Sequence, residues 1–171
     1  ESRGLGDVYK RQVGENLTAD MAFRVGQAVG TVLMEDKGSR PTVVIGKDTR
    51  ISSDMLETAM AAGLCSIGAS VVTLGVVPTP AVAYLTVQEK ADAGIVISAS
   101  HNPYEHNGIK VFTAGGRDAD RTVTDKIESE IAQINPDTIK SMDYDAAVAA
   151  GVITEHNPTN EYIAVSYTHL R

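Results

Sequence analysis

Residues 94–112, GIVISASHNPYEHNGIKVF, run from one apolar strand through a polar loop into a second apolar strand. A chain that only had to reverse direction could do so with Asn107-Gly108, a two-residue hairpin signal. Here Ser98, Ser100, His101 and the Asn102-Pro103 step stand between the two strands, and a single lysine, Lys110, interrupts the second. The stretch therefore predicts a hairpin at the end of a sheet with chemistry at its rim.

Upstream, TVVIG (42–46) and SVVTL (70–74) are short apolar, β-branched runs, the pattern of strands buried on both faces. Between them lie helical patterns. TADMAFRVGQAVGTVL (18–33) puts Met21, Val25, Ala28 or Val29, and Val32 on one stripe, with Thr18 as N-cap. In the next helix Leu56, Met60, Leu64 and Ile67 line up behind Ser53 as a cap. Thr79 before Pro80 opens a third helix, and TVTDKIESEIAQI (122–134) makes a fourth, with Val123, Ile127 and Ile131 at four-residue steps. The order α, β, α, β, α, β, β predicts a layered α/β domain with a mixed, mostly parallel four-stranded sheet ending in an antiparallel hairpin. DYDAAVAAGVITEHNPTNEYIAV (143–165) suggests a short helix, a short strand and the start of another helix.

With 171 residues, 43% of them hydrophobic, the chain can bury one good core and is short for two. No apolar run approaches the roughly 20 residues of a membrane span, and no signal-peptide pattern opens the chain, so a soluble, cytoplasmic protein is expected. The net charge of -7 disfavours nucleic acid as a partner. The one cysteine, Cys65, falls in a helical stretch and reads as a structural thiol.

Three strands each end in a polar loop: KDTR (47–50), VPTP (77–80) and SASHNP (98–103). Ligands of open α/β sheets gather at the carboxyl ends of the strands, so these loops should meet at one rim. Ser100 there is either a turn former or a nucleophile or phosphate carrier. A serine hydrolase is disfavoured, because no G-x-S-x-G elbow is present and His101 is directly adjacent. Lys110 is either a gatekeeper on an edge strand or, returned by the Asn107-Gly108 turn toward Ser100, a phosphate contact. Arg50 is either a surface charge paired with Asp48 or a bidentate phosphate ligand.

Three look-alikes are set aside. GLCSIGAS (63–70) has P-loop spacing, but Ala69 stands where the lysine belongs. His101 and His106 are five apart across a proline, which fits no helical zinc pair. GRDADR (116–121) follows the last strand and reads as a turn leading into a helix start.

GIVISASHNPYEHNGIKVF closely resembles the active-site serine loop of the α-D-phosphohexomutases, and most of all that of the bacterial phosphoglucosamine mutases. VVIGKDTRISSDML (43–56) and LGVVPTPAVAYL (74–85) support the likeness. The resemblance implies a three-layer α/β/α fold over residues 13–164, the first domain of a multi-domain enzyme; residues 1–12 and 165–171 have neither periodicity nor turn chemistry that joins them to their neighbours and are expected to be non-native flanks. It implies that Ser100 carries a phosphoryl group and exchanges it with a hexosamine phosphate through a bisphosphate intermediate. His101 and Lys110 would assist, Arg50, Asn102 and Asn107 would contact phosphate or substrate, and the Ser100 phosphate would help bind Mg²⁺ shared with another domain. The family's opening G-T-D-G-x-R-G loop has no counterpart in SRGLGDVYKRQ (2–12), and neither Arg3 nor Arg11 can be assigned its arginine's role. Other members, phosphoglucomutase and phosphomannomutase, and a non-catalytic sugar-phosphate-binding module are the alternative expectations.

Overall fold

The computed structural model describes residues 17–135, together with two short strands at Arg11–Gln12 and Ile153–Glu155. In chain order the elements are β1 (Arg11–Gln12), α1 (Ala19–Lys37), β2 (Thr42–Lys47), α2 (Ile51–Ser66), β3 (Ser70–Val76), α3 (Thr79–Gln88), β4 (Ala93–Ile97), β5 (His106–Asn107), β6 (Ile109–Thr113), α4 (Arg121–Gln133) and β7 (Ile153–Glu155). The main sheet has the order β6-β4-β2-β3-β7. β2 lies parallel to both β3 and β4, and β6 returns antiparallel to β4. These are the four strands the sequence predicts. The short β7 extends them, parallel to β3. The two helices expected on either side of β7 lie outside the described residues.

Side chains alternate across each strand, and the alternation builds the layers. Val43 and Ile45 of β2, Ile95 and Ile97 of β4, and Ile109 and Val111 of β6 share one core with α1, α2 and α4. Val44, Val96 and Phe112, from the intervening positions, pack with Ala81, Val82 and Leu85 of α3 on the opposite side. A sheet with apolar side chains on both faces needs helices on both, and the result is an α/β/α sandwich. Lys110 falls on the α3 side, with its ammonium 5.4 Å from the centre of the Phe112 ring.

The helix starts follow local hydrogen bonding. The Thr18 hydroxyl accepts the Met21 N–H at 3.2 Å and caps α1, as its position before the apolar stripe predicts. α2 begins two residues ahead of the expected Ser53 cap, with Arg50 at the N-cap position and no side-chain cap bond. The reason is Asp48, whose carboxylate already accepts the Arg50 N–H at 3.0 Å and so organises the turn from outside the helix. α3 likewise takes in Thr79, with Pro78 at the cap. Pro80 remains harmless there, because a first-turn residue has no carbonyl waiting for its missing N–H. GRDADR forms the expected turn and helix start: Asp120 caps α4 by accepting the Val123 N–H at 3.0 Å.

α1 and α2 approach closely where each presents a glycine to the other's backbone. Gly26 faces the Met60 carbonyl, and Gly63 faces that of Phe23. This contact sets the height of α2 over the sheet, and the N-terminus of α2 is at the rim.

Candidate functional site

Backbone hydrogen bonds draw the three polar loops together. The Asp48 N–H donates to the Ile97 carbonyl at 3.0 Å, and the Val77 N–H to that of Lys47 at 3.0 Å. The carboxyl ends of β2, β3 and β4 therefore form one rim, as the loop chemistry predicts.

Ser100 sits at the head of this rim, exposed, with φ of 56°. A left-handed conformation costs a residue with a Cβ roughly 1–3 kcal/mol and persists only where the surroundings impose it. Its hydroxyl lies 2.9 Å from His101 Nδ1. The Ser100 N–H donates to Ser98 Oγ at 3.1 Å. The Ser100 carbonyl accepts from Arg50 Nη2 at 3.1 Å, and the same nitrogen donates to the Asn102 carbonyl at 2.8 Å. The Asn102 N–H closes the turn on the Ala99 carbonyl at 3.1 Å.

Ser100, His101, Asn102 and Arg50 are thus brought together, but Arg50 does not present a free fork to the rim. One arm meets Asp48 and the other holds two backbone carbonyls. Arg50 therefore both pairs with Asp48 and reaches the backbone carbonyls beside Ser100.

Asn107 is fully buried and acts as an internal tie. Its amide donates to the hydroxyls of Ser52 at 2.9 Å and Ser53 at 3.0 Å, while its oxygen accepts the Gly108 N–H at 2.8 Å. These contacts make the Asn107 side chain a support between β5 and the first turn of α2. Lys110 is not brought to Ser100. In register opposite Val96, it pairs with Asp118 at 2.8 Å, on the outer strand of the sheet, where an edge lysine also guards against strand addition.

Sequence reasoning missed the centre of this arrangement, Asp48. Burial works against its charge, but hydrogen bonds from the Arg50 N–H and the Ser98 and Ser53 hydroxyls, with the Arg50 charge, outweigh it and hold the carboxyl below its ordinary 3.8. The Ser53 hydroxyl donates at 2.8 Å. Spacing of two and five residues from Asp48 to Arg50 and Ser53 was the available signal. Beside it, Lys47 meets Glu57, and it meets Asp54 at 2.7 Å. Burial alone would lower the Lys47 pKa, yet these two carboxylates outweigh it and leave the ammonium above its ordinary value.

A depressed folded-state pKa means that Asp48 stabilises the fold above its unfolded value, and that this contribution is lost as pH falls through the folded value. Acid titration followed by circular dichroism should show it. Below the ordinary 3.8 the unaltered chain should lose stability more steeply than Asp48→Asn, which has no carboxylate to protonate. Parallel acid slopes for the two proteins would contradict the assignment.

Among the described residues no group of three or more His, Cys, Asp or Glu side chains converges as a metal cage, and no helix is long and apolar enough to cross a membrane.

Residues 4–138 match the family described as phosphoglucomutase/phosphomannomutase, alpha/beta/alpha domain I. A phosphoglucosamine mutase of Ruminiclostridium cellulolyticum is 55% identical over 115 residues, covering 67% of this chain and 26% of that protein. One from Clostridium acetobutylicum is 44% identical over 150 residues, 87% of this chain and 32% of the relative. The chain therefore spans between a quarter and a third of the length of these curated relatives. Among solved structures, a protein described as a phosphomannomutase of Thermus thermophilus superposes with a TM-score of 0.79 at 25% identity, covering 96% of this chain and 35% of its own. A phosphoglucomutase/phosphomannomutase family protein of Burkholderia thailandensis gives a TM-score of 0.70 at 26% identity, over 93% of this chain and 34% of its own. Arg11 and Gln12 pair antiparallel with Asn107 and His106.

Proposed function

Because the chain belongs to the phosphoglucomutase/phosphomannomutase family and carries its α/β/α domain I, we propose that it is the phosphoserine-bearing domain of a phosphoglucosamine mutase. The parent enzyme would interconvert glucosamine 6-phosphate and glucosamine 1-phosphate, a cytoplasmic step toward amino-sugar precursors of the cell wall. The observation that carries this reading is Ser100, an exposed serine in a left-handed turn with its hydroxyl 2.9 Å from His101 Nδ1. The relatives' name, phosphoglucosamine mutase, supports the choice of sugar.

In the proposed cycle the bond between Ser100 Oγ and phosphorus breaks as a sugar hydroxyl attacks that phosphorus, giving a sugar bisphosphate and a free serine. The serine then takes the other phosphate. Phosphoryl transfer depends chiefly on positioning and on charge stabilisation. His101 would exchange a proton with Ser100 Oγ, Asn102 would shape the loop, and Lys110 would join only by leaving Asp118. A phosphoserine bears about -1.5 to -2 charges. In an acidic chain whose cations Lys47, Arg50 and Lys110 already have acidic partners, that charge needs help from outside. Magnesium would supply charge neutralisation at a phosphate oxygen on Ser100. The described residues do not fit a self-contained site for it, so its other ligands would come from elsewhere in the parent. The chain alone is expected not to turn over.

A second reading, phosphomannomutase or phosphoglucomutase, is favoured by the names of the similar solved structures. Assaying the full-length parent on glucosamine, glucose and mannose phosphates separates them. The highest kcat/KM is expected on glucosamine phosphate, and a clear preference for either neutral sugar would overturn the choice.

A further inference from the structure

The Asp48 carboxylate gathers donors from three places: the Arg50 N–H at 3.0 Å and Arg50 Nη1, the Ser53 hydroxyl at 2.8 Å, and the Ser98 hydroxyl. Two of these donors lead onward to one residue. The Ser98 hydroxyl is one of the donors that hold the Asp48 carboxylate charged, and Ser98 Oγ accepts the Ser100 N–H at 3.1 Å. Arg50, oriented by its Nη1 contact, places Nη2 on the Ser100 carbonyl at 3.1 Å. Both backbone polar groups of the left-handed serine therefore trace back to one carboxylate.

We infer that Asp48 is a positioning residue for the phosphoryl carrier, holding Ser100 in its left-handed turn through Ser98 on one side and Arg50 on the other. An ordinary surface ion pair does not explain the geometry. The two side chains are only 14% and 22% exposed, and the guanidinium crosses to the carbonyls of a loop fifty residues away. Its Nε is buried without a hydrogen-bond partner, so the group has given up one contact to make these. Asn107 braces the same centre from below, through Ser53. A hydroxyl aimed by a strained backbone needs its φ enforced, because release to an ordinary conformation would turn the Cβ, and the Oγ with it, away from the rim.

The inference rests on the proposed function only for what Ser100 does, so its test has two independent readouts. The first is amide hydrogen exchange in this chain for Asp48→Asn, Arg50→Lys and Ser98→Ala. The Ser100 amide should exchange about tenfold faster or more in all three, and the Asn102 amide too in the first two, while Val43 to Ile45 keep their protection. Ser98→Ala removes no charge and guards against a variant that simply unfolds. Unchanged exchange at Ser100 in all three would overturn the inference.

The second readout is phosphate uptake by Ser100 in the full-length parent from glucosamine 1,6-bisphosphate, followed by intact mass. Asp48→Asn should slow it by about a hundredfold, the scale expected for a misplaced reacting group. Guanidinium added to Arg50→Ala should restore part of the rate, which general damage to the fold would not allow. Slow uptake with no rescue and no change in exchange would count against the network. If the unaltered parent takes up no phosphate while exchange responds as stated, the positioning role stands and the proposed function falls.

Discussion

Ser100→Ala in the full-length parent is expected to lower mutase turnover by roughly four orders of magnitude or more, the scale seen when a covalent carrier is removed outright. The fold should hardly notice. Ser100 is exposed, its hydroxyl contacts the neighbouring His101, and the bonds that fix the loop are made by its backbone. Alanine also keeps a Cβ, so the left-handed strain is unchanged and stability should move by no more than about 0.5 kcal/mol. Ser100→Gly is a useful companion. It removes the Cβ penalty at φ of 56° and so fits the turn at least as well, yet it carries no hydroxyl and should be equally inactive. A loss of activity in both variants, with unfolding midpoints near the parent's, isolates the hydroxyl as the lost group. Substantial turnover in either variant would remove Ser100 from the mechanism.

The frame of the fold was legible because its signals are local and repeated. Val43, Val44 and Ile45, or Ile95, Val96 and Ile97, announce strands buried on both faces, and helices must then cover both. The convergence of the three rim loops followed from that frame alone. What stayed hidden was how polar side chains choose among partners once the loops meet. Ser53 has the chemistry of an N-cap, but in the structure it donates to Asp48, and the carboxylate organises the turn instead. Lys110 could have reached along its strand in either direction. Asp118, bridged to Phe112 by a turn whose course no pattern fixes, decided it. Arg50 and Ser100 are fifty residues apart, and nothing in either segment alone says that a guanidinium will end on a carbonyl.

Gly63→Ala tests the layer beneath that rim, and two opposing effects decide its sign. Propensity favours the change: alanine in a helix interior is worth about 1 kcal/mol over glycine. Packing opposes it, because a Cβ at Gly63 would lie 2.0 Å from the Phe23 carbonyl oxygen, 2.9 Å from its carbon and 3.1 Å from the Gln27 nitrogen. All three are backbone atoms of α1, so no side chain can swing aside, and the helices must separate. A Cβ at Gly26 would lie 2.4 Å from the Met60 carbonyl oxygen in the same seam, which closes the route of sliding one helix along the other. Overpacking typically costs about 1–3 kcal/mol, and a clash with rigid backbone belongs at the upper end or beyond. The net expectation is a loss of about 2 kcal/mol, read as a lower denaturant midpoint at constant slope. Gly115→Ala, whose Cβ would find only Thr113 Oγ1 at 4.0 Å, should stay within about 0.5 kcal/mol of the parent. The consequence reaches the site, since α2 begins at Ile51 and carries Ser52 and Ser53 in its first turn. Lifting that helix pulls Ser53 from Asp48 and Asn107, so Ser100 amide exchange should quicken in Gly63→Ala even where the fold survives. A midpoint at or above the parent's would mean that the helices can part without cost, and that the rim is not held from below.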